Sequence, residues 1–344
     1  MMHRLLLALP PEPAHRLSLK ALQWGLAGRA PQPDPRLAVR LWGQTFPSPL
    51  GLAAGFDKHG QVMAPLLKLG LGFVEVGTIT PAPQPGNPGP RVFRAPAQRA
   101  VINRYGFNSE GHACVQARLS AFRAAHPGAA LGINLGMNKA TARPLDAYKK
   151  GVELFEDLAT YLVINLSSPN TQGLRDQQTQ GLGELIDGLQ AARRHATPLL
   201  LKVAPDLGRD QIALIAETAR AKRLDGLIVA NTTLDRPATL PPAFAAQAGG
   251  LSGAPLRDKA LAVLTAFYSH LQGDVPLIAV GGLMSGGDAV ARLRAGADLL
   301  QCYTGLIYRG PKLIQEINQA ILQAMQHAGL GSLDSPAALK GTVA

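Results

Sequence analysis

The chain has 344 residues and a formal net charge of +11, and 47% of its residues are apolar. This apolar fraction is typical of globular proteins and too high for a disordered chain. The two cysteines, Cys114 and Cys302, lie far apart and in no C-x-x-C pair, so we expect neither a disulfide framework nor a cysteine-based zinc site. No apolar run reaches the ~18 residues that a membrane span needs. The basic residues are scattered, which excludes an obvious nucleic-acid-binding stretch but is compatible with anionic lipid or a phosphorylated ligand.

Residues 1–40 predict a small helical segment that precedes the main domain. Leu5–Leu9 and Ala14–Leu26 have helix-like sequences and are separated by a proline-rich break at residues 10–13. The apolar start is short and lacks a small-residue cleavage site, so we do not expect export. Two interpretations stay open: a helical lid over the bottom of the following domain, or an interfacial anchor whose apolar face lies in lipid and whose charges contact anionic head groups.

Eight short apolar segments recur along the rest of the chain, each ending in a small or polar residue. Near-continuous apolar strands are typical of a parallel sheet that is buried on both faces. The predicted strands are Leu50–Phe56, Phe73–Thr78, Ala130–Gly136, Tyr161–Ser168, Pro198–Pro205, Gly226–Thr232, Pro276–Gly282 and Leu299–Gly305.

The segments between these strands predict amphipathic helices, for example over Leu145–Ala159 and Asp210–Ala221. Eight consecutive βα units predict an α/β fold, a (β/α)8 TIM barrel with a small N-terminal helical extension. A doubly wound open sheet is less consistent, because no G-x-G-x-x-G motif follows the first strand. We therefore expect a segment at residues 1–40, a barrel at residues 41–330 and a poorly ordered tail at residues 331–344.

Two connections are too long for a simple βα crossover. They run from Thr78 to Ala130 and from Thr232 to Pro276, and both follow the carboxyl end of a strand. Barrel active sites are built at that end, and long ordered loops commonly carry function. We expect both loops to contribute to a site.

Polar side chains occur at the ends of strands that are otherwise apolar. Asn134, Asn165, Asn231 and Lys202 lie at or just after such strands, and Asn170 follows closely. An isolated Asn at a strand end is commonly a turn residue, but several around one barrel mouth match the donor and acceptor edge of a planar heterocycle. A buried lysine needs a partner, which an anionic ligand would supply.

Glycines at the ends of the last two strands predict a phosphate site. Gly281-Gly282 and Tyr303-Thr304-Gly305 lie where (β/α)8 barrels commonly bind phosphate, since bare backbone lets N–H groups approach phosphate oxygens. Lys58 is a second candidate cation, and its simpler interpretation is a surface turn paired with Asp57.

Six motifs in one order resemble the dihydroorotate dehydrogenase family, and more narrowly its class 2, the quinone-reducing and membrane-associated form. The resemblance covers about residues 10–325, and six separate matches are very specific. The motifs are Ala53-Ala54-Gly55-Phe56-Asp57-Lys58, Asn103-Arg104-Tyr105-Gly106-Phe107-Asn108, Asn165-Leu166-Ser167-Ser168-Pro169-Asn170-Thr171, Lys202-Val203-Ala204-Pro205-Asp206, Asn231-Thr232-Thr233-Leu234 and Gly249-Gly250-Leu251-Ser252-Gly253.

The resemblance implies a flavoprotein oxidoreductase of pyrimidine biosynthesis that oxidises dihydroorotate to orotate with one FMN per chain. Ser168 matches the catalytic base, and Thr171 and Phe107 match residues that organise the exit of its proton. The residues that match substrate ligands are Lys58, Asn103, Arg104, Tyr105, Gly106, Phe107, Asn165, Asn170, Asn231 and Thr232. Those that match the FMN site are Ala54, Gly55, Phe56, Asp57, Lys58, Thr78, Asn134, Asn165, Lys202, Ala230, Gly253, Gly282, Tyr303 and Thr304.

Two features imply class 2. Class 1 enzymes use cysteine as the base, where this chain has Ser168, and they lack the N-terminal helical segment. The resemblance then implies a quinone tunnel between that segment and the barrel, with His15, Arg94 and Tyr303 facing the quinone. It also implies a membrane-associated protein. Because the sequence shows no targeting extension and no membrane span, we expect a peripheral monomer on the cytoplasmic face of a bacterial inner membrane.

One position departs from the family. Ala230 stands where the family commonly has a threonine that contacts the flavin, so a hydroxyl contact of about 1 kcal/mol is missing. This affects the expected flavin affinity and leaves the expected chemistry unchanged.

Three other functions remain as alternatives. A flavin barrel that uses a soluble acceptor, fumarate or NAD, would not need residues 1–40. A flavin barrel that reduces tRNA uridines would need a cysteine at the barrel mouth, and neither Cys114 nor Cys302 is expected there. A catalytically inactive membrane-binding module is disfavoured by the intact Ser168 and asparagine set.

Overall fold

Eight parallel strands close into a barrel, as the sequence predicts. The computed structural model describes residues 6–170, 175–179, 181–333 and residue 339. The strands are β1 (Val39–Leu41), β2 (Gln44–Phe46), β3 (Leu50–Leu52), β4 (Phe73–Ile79), β5 (Val92–Ala95), β6 (Ala100–Asn103), β7 (Leu131–Leu135), β8 (Tyr161–Asn165), β9 (Leu199–Val203), β10 (Gly226–Val229), β11 (Gly250–Gly253), β12 (Leu277–Val280) and β13 (Leu299–Cys302). Around the barrel the strand order is β10-β12-β13-β3-β4-β7-β8-β9.

The helices surround the barrel and pack their apolar sides on it. The helices are α1 (Pro11–Gln23), α2 (Met63–Leu67), α3 (His112–Ala125), α4 (Pro144–Phe155), α5 (Leu182–Gln190), α6 (Arg209–Ala221), α7 (Pro242–Ala245), α8 (Arg257–Leu271), α9 (Gly286–Arg294), α10 (Thr304–Arg309) and α11 (Lys312–His327). Each of the eight predicted strand segments corresponds to one barrel strand, with β4 running one residue beyond its predicted end, and the two helices predicted by periodicity are present as α4 and α6.

Aromatic rings fill the lower part of the barrel interior. An added Cβ at Gly51 would lie 2.4 Å from the Phe73 ring, and one at Gly132 would lie 2.3 Å from the Tyr161 ring. Both glycines are therefore needed so that large rings can occupy the barrel centre at the density of a protein interior.

A hairpin closes the amino-terminal end of the barrel. Strands β1 and β2 pair antiparallel, and the ring of Phe46 packs edge-on against Phe73 at a centroid distance of 5.4 Å. Trp42 donates a 2.7 Å hydrogen bond to the carbonyl of Asp225, just before β10. This hairpin spans the expected boundary at residue 40, and the fully buried Leu37 and Val39 belong to the main core.

The N-terminal helix lies at the carboxyl-end face of the barrel, so the expectation of a lid over the bottom was wrong. His15 on α1 packs edge-on against Phe56, which follows β3, and Glu12 pairs with Arg91 at 3.1 Å. The helix begins at Pro11, inside the predicted break, because a proline in the first turn loses no helical hydrogen bond. Within the described residues, no helix is long and apolar enough to cross a membrane.

The two long loops build one structure over the barrel mouth. Strands β5 and β6 from the first loop and β11 from the second form an antiparallel sheet in the order β11-β6-β5. Its apolar side, with Ile102 and Leu251, packs on Phe244 in a small separate core. This sheet holds both loops against the site, as their lengths suggested.

Part of the predicted C-terminal tail belongs to the core. Leu333 and Leu339 are buried among the main core residues. Residues 334–338 and 340–344 lie outside the described part of the chain.

Candidate active site

One cavity of about 480 Å³ occupies the carboxyl ends of the barrel strands. It runs from α1, across the strand ends that carry Ser168 and Lys202, to the glycines after β12 and to Thr304 after β13. Its volume lies in the range of cofactor and ligand sites. The cavity therefore joins three regions that the sequence analysis assigned to different ligands.

Most of the predicted site residues line this cavity. Three do not: Asp57, Arg104 and Asn134. Arg104 lies over the Phe93 ring at 4.5 Å and donates to the carbonyl of Ala248, so its guanidinium supports the loops over the mouth. Thr171 lies outside the described residues.

Ser168 lines the cavity together with the side chains of Asn103, Asn165, Asn170 and Asn231. Its side chain is buried, and its hydroxyl oxygen accepts a 3.3 Å hydrogen bond from the backbone N–H of Asn170. The side chain of Asn170 in turn donates to Asn103 at 3.4 Å, which links two of the predicted motifs across the cavity. Neighbouring Ser167 points elsewhere, because its hydroxyl donates to Asn165 and accepts from Asn231.

Lys58 is a buried cation at the cavity wall, so the surface-turn interpretation was wrong. Its ammonium group donates to the carbonyl of Gly55 and lies 4.0 Å from the centroid of the Tyr105 ring. Burial, with the positive charge of Arg91 nearby, lowers the pKa of Lys58 to about 8. Asp57 is also buried but faces away, where its carboxylate accepts from the backbone N–H groups of Gln61 and Val62, just before α2.

A directional hydrogen-bond chain connects the strand ends. The Thr78 hydroxyl donates to Asn134 at 2.6 Å, and the Asn165 amide donates to both Thr78 and Asn134 at 3.0 and 3.1 Å. Every one of these side chains is buried. Asn134, although it does not line the cavity, therefore holds two residues that do.

This hydrogen-bond chain ends at the carboxylate of Glu75, which the sequence analysis missed. Glu75 is fully buried and accepts from Asn134 at 2.9 Å, Tyr161 at 3.0 Å and Gln301 at 2.5 Å. Burial lowers the pKa of Lys202 from its ordinary value, and the Glu75 carboxylate opposes this shift. The signal that selected Lys202, a charged residue between apolar neighbours in a strand, also marks Glu75.

The far end of the cavity is built from bare backbone. Gly253 and Gly282 have φ of +95° and +66°, and an added Cβ would lie 2.1 Å from the Arg99 carbonyl and 2.3 Å from Arg257 Cα. Glycine is therefore required at both turns, and no side chain separates this backbone from the cavity. Thr304 lies beside them with its hydroxyl 2.9 Å from that of Ser252.

The three predicted quinone residues, His15, Arg94 and Tyr303, all line the cavity. The rings of His15, Phe56 and Tyr303 pack edge-on in sequence, with centroid distances of 5.3 and 5.8 Å. Arg94 donates to the carbonyl of Leu9 in the N-terminal segment. Burial, with the positive charge of Lys58, lowers the pKa of His15 to about 3, so its imidazole is neutral at physiological pH.

No cluster of metal-binding side chains occurs in the part of the chain that the structure describes. Cys114 is exposed on α3 and does not line the cavity. Cys302, the last residue of β13, does line it, so the expectation that neither cysteine lies at the barrel mouth was wrong for Cys302; burial raises the pKa of its thiol to about 12. Fold and site together define a (β/α)8-barrel protein with a cofactor-sized cavity at the carboxyl ends of its strands.

Comparison with known proteins identifies the family. The dihydroorotate dehydrogenase family model matches residues 36–325, and the chain belongs to this family. A protein of Parvibaculum lavamentivorans named dihydroorotate dehydrogenase (quinone) is 49% identical over 94% of this chain and 93% of its own length. A protein of the same name from Rhodospirillum rubrum is 50% identical over 96% of this chain and 91% of its own length.

Solved structures agree with this assignment. The crystal structure of DHODH from Eimeria tenella in complex with ferulenol superposes with a TM-score of 0.90 at 39% identity, covering 95% of this chain and 96% of that one. The ligand-free form of the same protein superposes with a TM-score of 0.91 at 38% identity, covering 96% and 98%.

Proposed function

We propose that this protein oxidises dihydroorotate to orotate and passes the electrons through FMN to a membrane quinone. The observation that carries this proposal is the continuous cavity, which places Ser168, the strand-end amides, the glycine turns and the N-terminal helix around one space. Relatives at 49% and 50% identity have the name of such an enzyme.

The residues around the cavity fit a flavin. The turns at Gly253 and Gly282 leave bare backbone for a phosphate, Lys202 offers a buried cation, and Gln301 has a buried carbonyl oxygen without a partner among the described residues. FMN, when bound, supplies the hydride acceptor for this reaction. Lys202 would then stabilise the negative charge that arrives with the hydride.

The substrate would be held by the asparagine side chains that line the cavity and by Lys58. Amide side chains such as those of Asn103 and Asn231 match the donor and acceptor edge of the pyrimidine ring, whereas the Lys58 ammonium group matches its carboxylate. Because Lys58 is buried and its pKa is lowered to about 8, an anionic partner raises that pKa and recovers part of the desolvation cost.

Ser168 acts in this proposal as the base that removes the C5 proton of dihydroorotate. A serine hydroxyl is a weak base, so the site must place it accurately and give its proton an exit. The backbone N–H of Asn170 orients the hydroxyl oxygen, and Phe107 lines the same cavity.

The N-terminal segment would bind the quinone and the membrane surface. Leu17, Trp24 and Leu26 are exposed by 41%, 66% and 59%, while Leu22 on the same segment is buried against the barrel. A segment with apolar side chains on both sides can contact the barrel and lipid together. The protein would act as a peripheral monomer on the cytoplasmic face of the inner membrane.

The Ser168→Ala variant tests the chemical part of the proposal. Loss of a general base lowers the rate by about 10²–10⁴-fold. Flavin reduction by dihydroorotate should therefore slow by that factor while FMN content stays unchanged, and a near-normal rate would exclude Ser168 as the base. Turnover with fumarate or NAD, and none with a quinone, would show that the electron acceptor is a soluble molecule.

A further inference from the structure

Arg175 joins the ends of three neighbouring barrel strands. It lies in the 3₁₀ helix Arg175–Gln178, after the segment that follows Ser168. Its guanidinium donates to the carbonyl of Ser167 at 3.0 Å, to the carboxylate of Asp206 at 2.6 Å and to the carbonyl of Thr232 at 2.7 Å. These acceptors follow β8, β9 and β10 in turn, so one planar cation fixes three strand ends.

The first of these contacts bears directly on the position of Ser168. The Ser167 carbonyl belongs to the peptide group that links Ser167 to Ser168. A peptide group is planar, so a hydrogen bond to its oxygen also restrains the plane from which the Ser168 backbone begins. The third contact restrains the peptide group between Thr232 and Thr233 in the same way.

Asp206 holds Arg175 in place. Besides Arg175, its carboxylate accepts from the Lys259 ammonium at 2.6 Å, from the Thr233 hydroxyl, and from the backbone N–H of Leu234 at 3.0 Å. Burial raises the pKa of Asp206, but these hydrogen bonds outweigh it and lower the pKa below its ordinary value. Asp206 is therefore a charged hub with donors on both oxygens.

The backbone of Arg175 is tied to the barrel as well. Gln178, which is buried, donates to the Arg175 carbonyl at 3.2 Å and accepts from the backbone N–H of Ala204 at 2.8 Å. The backbone carbonyl and the guanidinium group of Arg175 thus both have fixed partners. An arginine held in this way presents its donors in one geometry with little loss of freedom on each contact.

We propose that Arg175, held by Asp206, is a positioning residue that aligns Ser168 and Thr232 for proton removal from the substrate. It contacts the carbonyl of the peptide group that carries Ser168 and would not contact the substrate. The expected effect on proton removal rests on the proposed function, whereas the expected effect on the backbone around Ser168 and Thr232 can be measured without substrate.

Arg193 provides a matched control at the opposite end of β9. It pairs with Asp225 at 2.6 Å, and its side chain is 17% exposed, against 18% for Arg175. Asp225 also accepts a 2.8 Å hydrogen bond from the backbone N–H of Leu199, at the amino end of the strand. Arg193→Gln therefore removes a similar arginine–aspartate pair far from Ser168.

The experiment compares Arg175→Gln, Arg175→Lys and Arg193→Gln as FMN-loaded, full-length proteins. In the first measurement, hydrogen–deuterium exchange is followed in peptides that cover residues 165–170 and 231–235. We expect at least fivefold faster exchange there in both Arg175 variants and unchanged exchange in Arg193→Gln. Lys keeps the charge but has no planar fork, so it should not restore protection.

The second measurement is stopped-flow reduction of the flavin by dihydroorotate. We expect the limiting rate to fall at least tenfold in both Arg175 variants, with a smaller change in the half-saturating concentration because Lys58 and the amides remain. Arg193→Gln should stay within twofold of the wild type.

The outcomes separate the two proposals. If an Arg175 variant exchanges at the wild-type rate in both peptides, the positioning role is overturned. It is also overturned if the limiting rate of flavin reduction in an Arg175 variant equals that of Arg193→Gln. If dihydroorotate does not reduce the flavin of the wild-type protein, the proposed function is overturned. The exchange measurement alone then decides the role of Arg175.

Discussion

Replacing Tyr161 by Phe should cost far more stability than replacing Tyr148 by Phe, although both side chains are fully buried. The Tyr161 hydroxyl donates to the Glu75 carboxylate at 3.0 Å and accepts from Gln301 at 3.2 Å. The Tyr148 hydroxyl donates to one neutral acceptor, the carbonyl of Asn165, at 3.2 Å. The two substitutions remove the same atom from different electrostatic surroundings.

The magnitudes follow from the partners that are left behind. A hydrogen bond to a charged group contributes about 1.5–3 kcal/mol, and one between neutral groups about 0.5–1.5 kcal/mol. Tyr161→Phe loses one of each kind, so we expect the free energy of unfolding to fall by about 2–4 kcal/mol. For Tyr148→Phe we expect a loss of about 1 kcal/mol.

Urea unfolding at equal, saturating FMN measures both losses, with flavin content checked in each protein. A second background sharpens the test: in Glu75→Gln, the cost of Tyr161→Phe should fall to about 1–3 kcal/mol, that of two neutral hydrogen bonds, because the charged acceptor is gone. The reasoning is refuted if Tyr161→Phe costs no more than Tyr148→Phe in the otherwise unchanged protein, since Glu75 would then not be a buried charge supported by these donors.

Three further predictions concern the ligands. Lys58→Met should raise the half-saturating concentration of dihydroorotate. In the unchanged protein, that concentration should rise as pH increases through about 8, because Lys58 loses its proton there. The variant should lack this pH dependence. Lys202→Ala should weaken FMN binding by about 10–100-fold, measured by flavin titration of the apoprotein, and unchanged affinity would reject its flavin role. Removing residues 1–30, which keeps the buried Leu37 and Val39, should spare flavin reduction but slow reoxidation by a ubiquinone analogue at least tenfold, whereas normal reoxidation would argue against the quinone tunnel.

The barrel could be predicted from sequence because its signals are local. A strand buried on both faces is apolar along most of its length, and segments such as Leu277–Val280 show this directly. The amides at the barrel mouth were equally visible, because a polar residue at the end of an apolar strand needs a partner. The six family motifs then assigned roles that composition and spacing alone left open.

The remaining features depend on contacts between distant parts of the chain. The periodicity of α1 indicates an apolar side but not the end of the barrel that it covers, and the edge contact between His15 and Phe56 decides that. Asp57 and Lys58 are adjacent in sequence and both buried, yet they face different partners. Arg175 has no local signal, because its acceptors follow three separate strands.

The most direct test of the central claim follows the visible absorbance of the flavin in the purified protein without oxygen. We predict that dihydroorotate bleaches the flavin and that a ubiquinone analogue then restores its absorbance. Bleaching without recovery would keep the substrate and contradict the quinone as acceptor. A flavin-loaded protein that dihydroorotate does not bleach would contradict the proposed reaction itself.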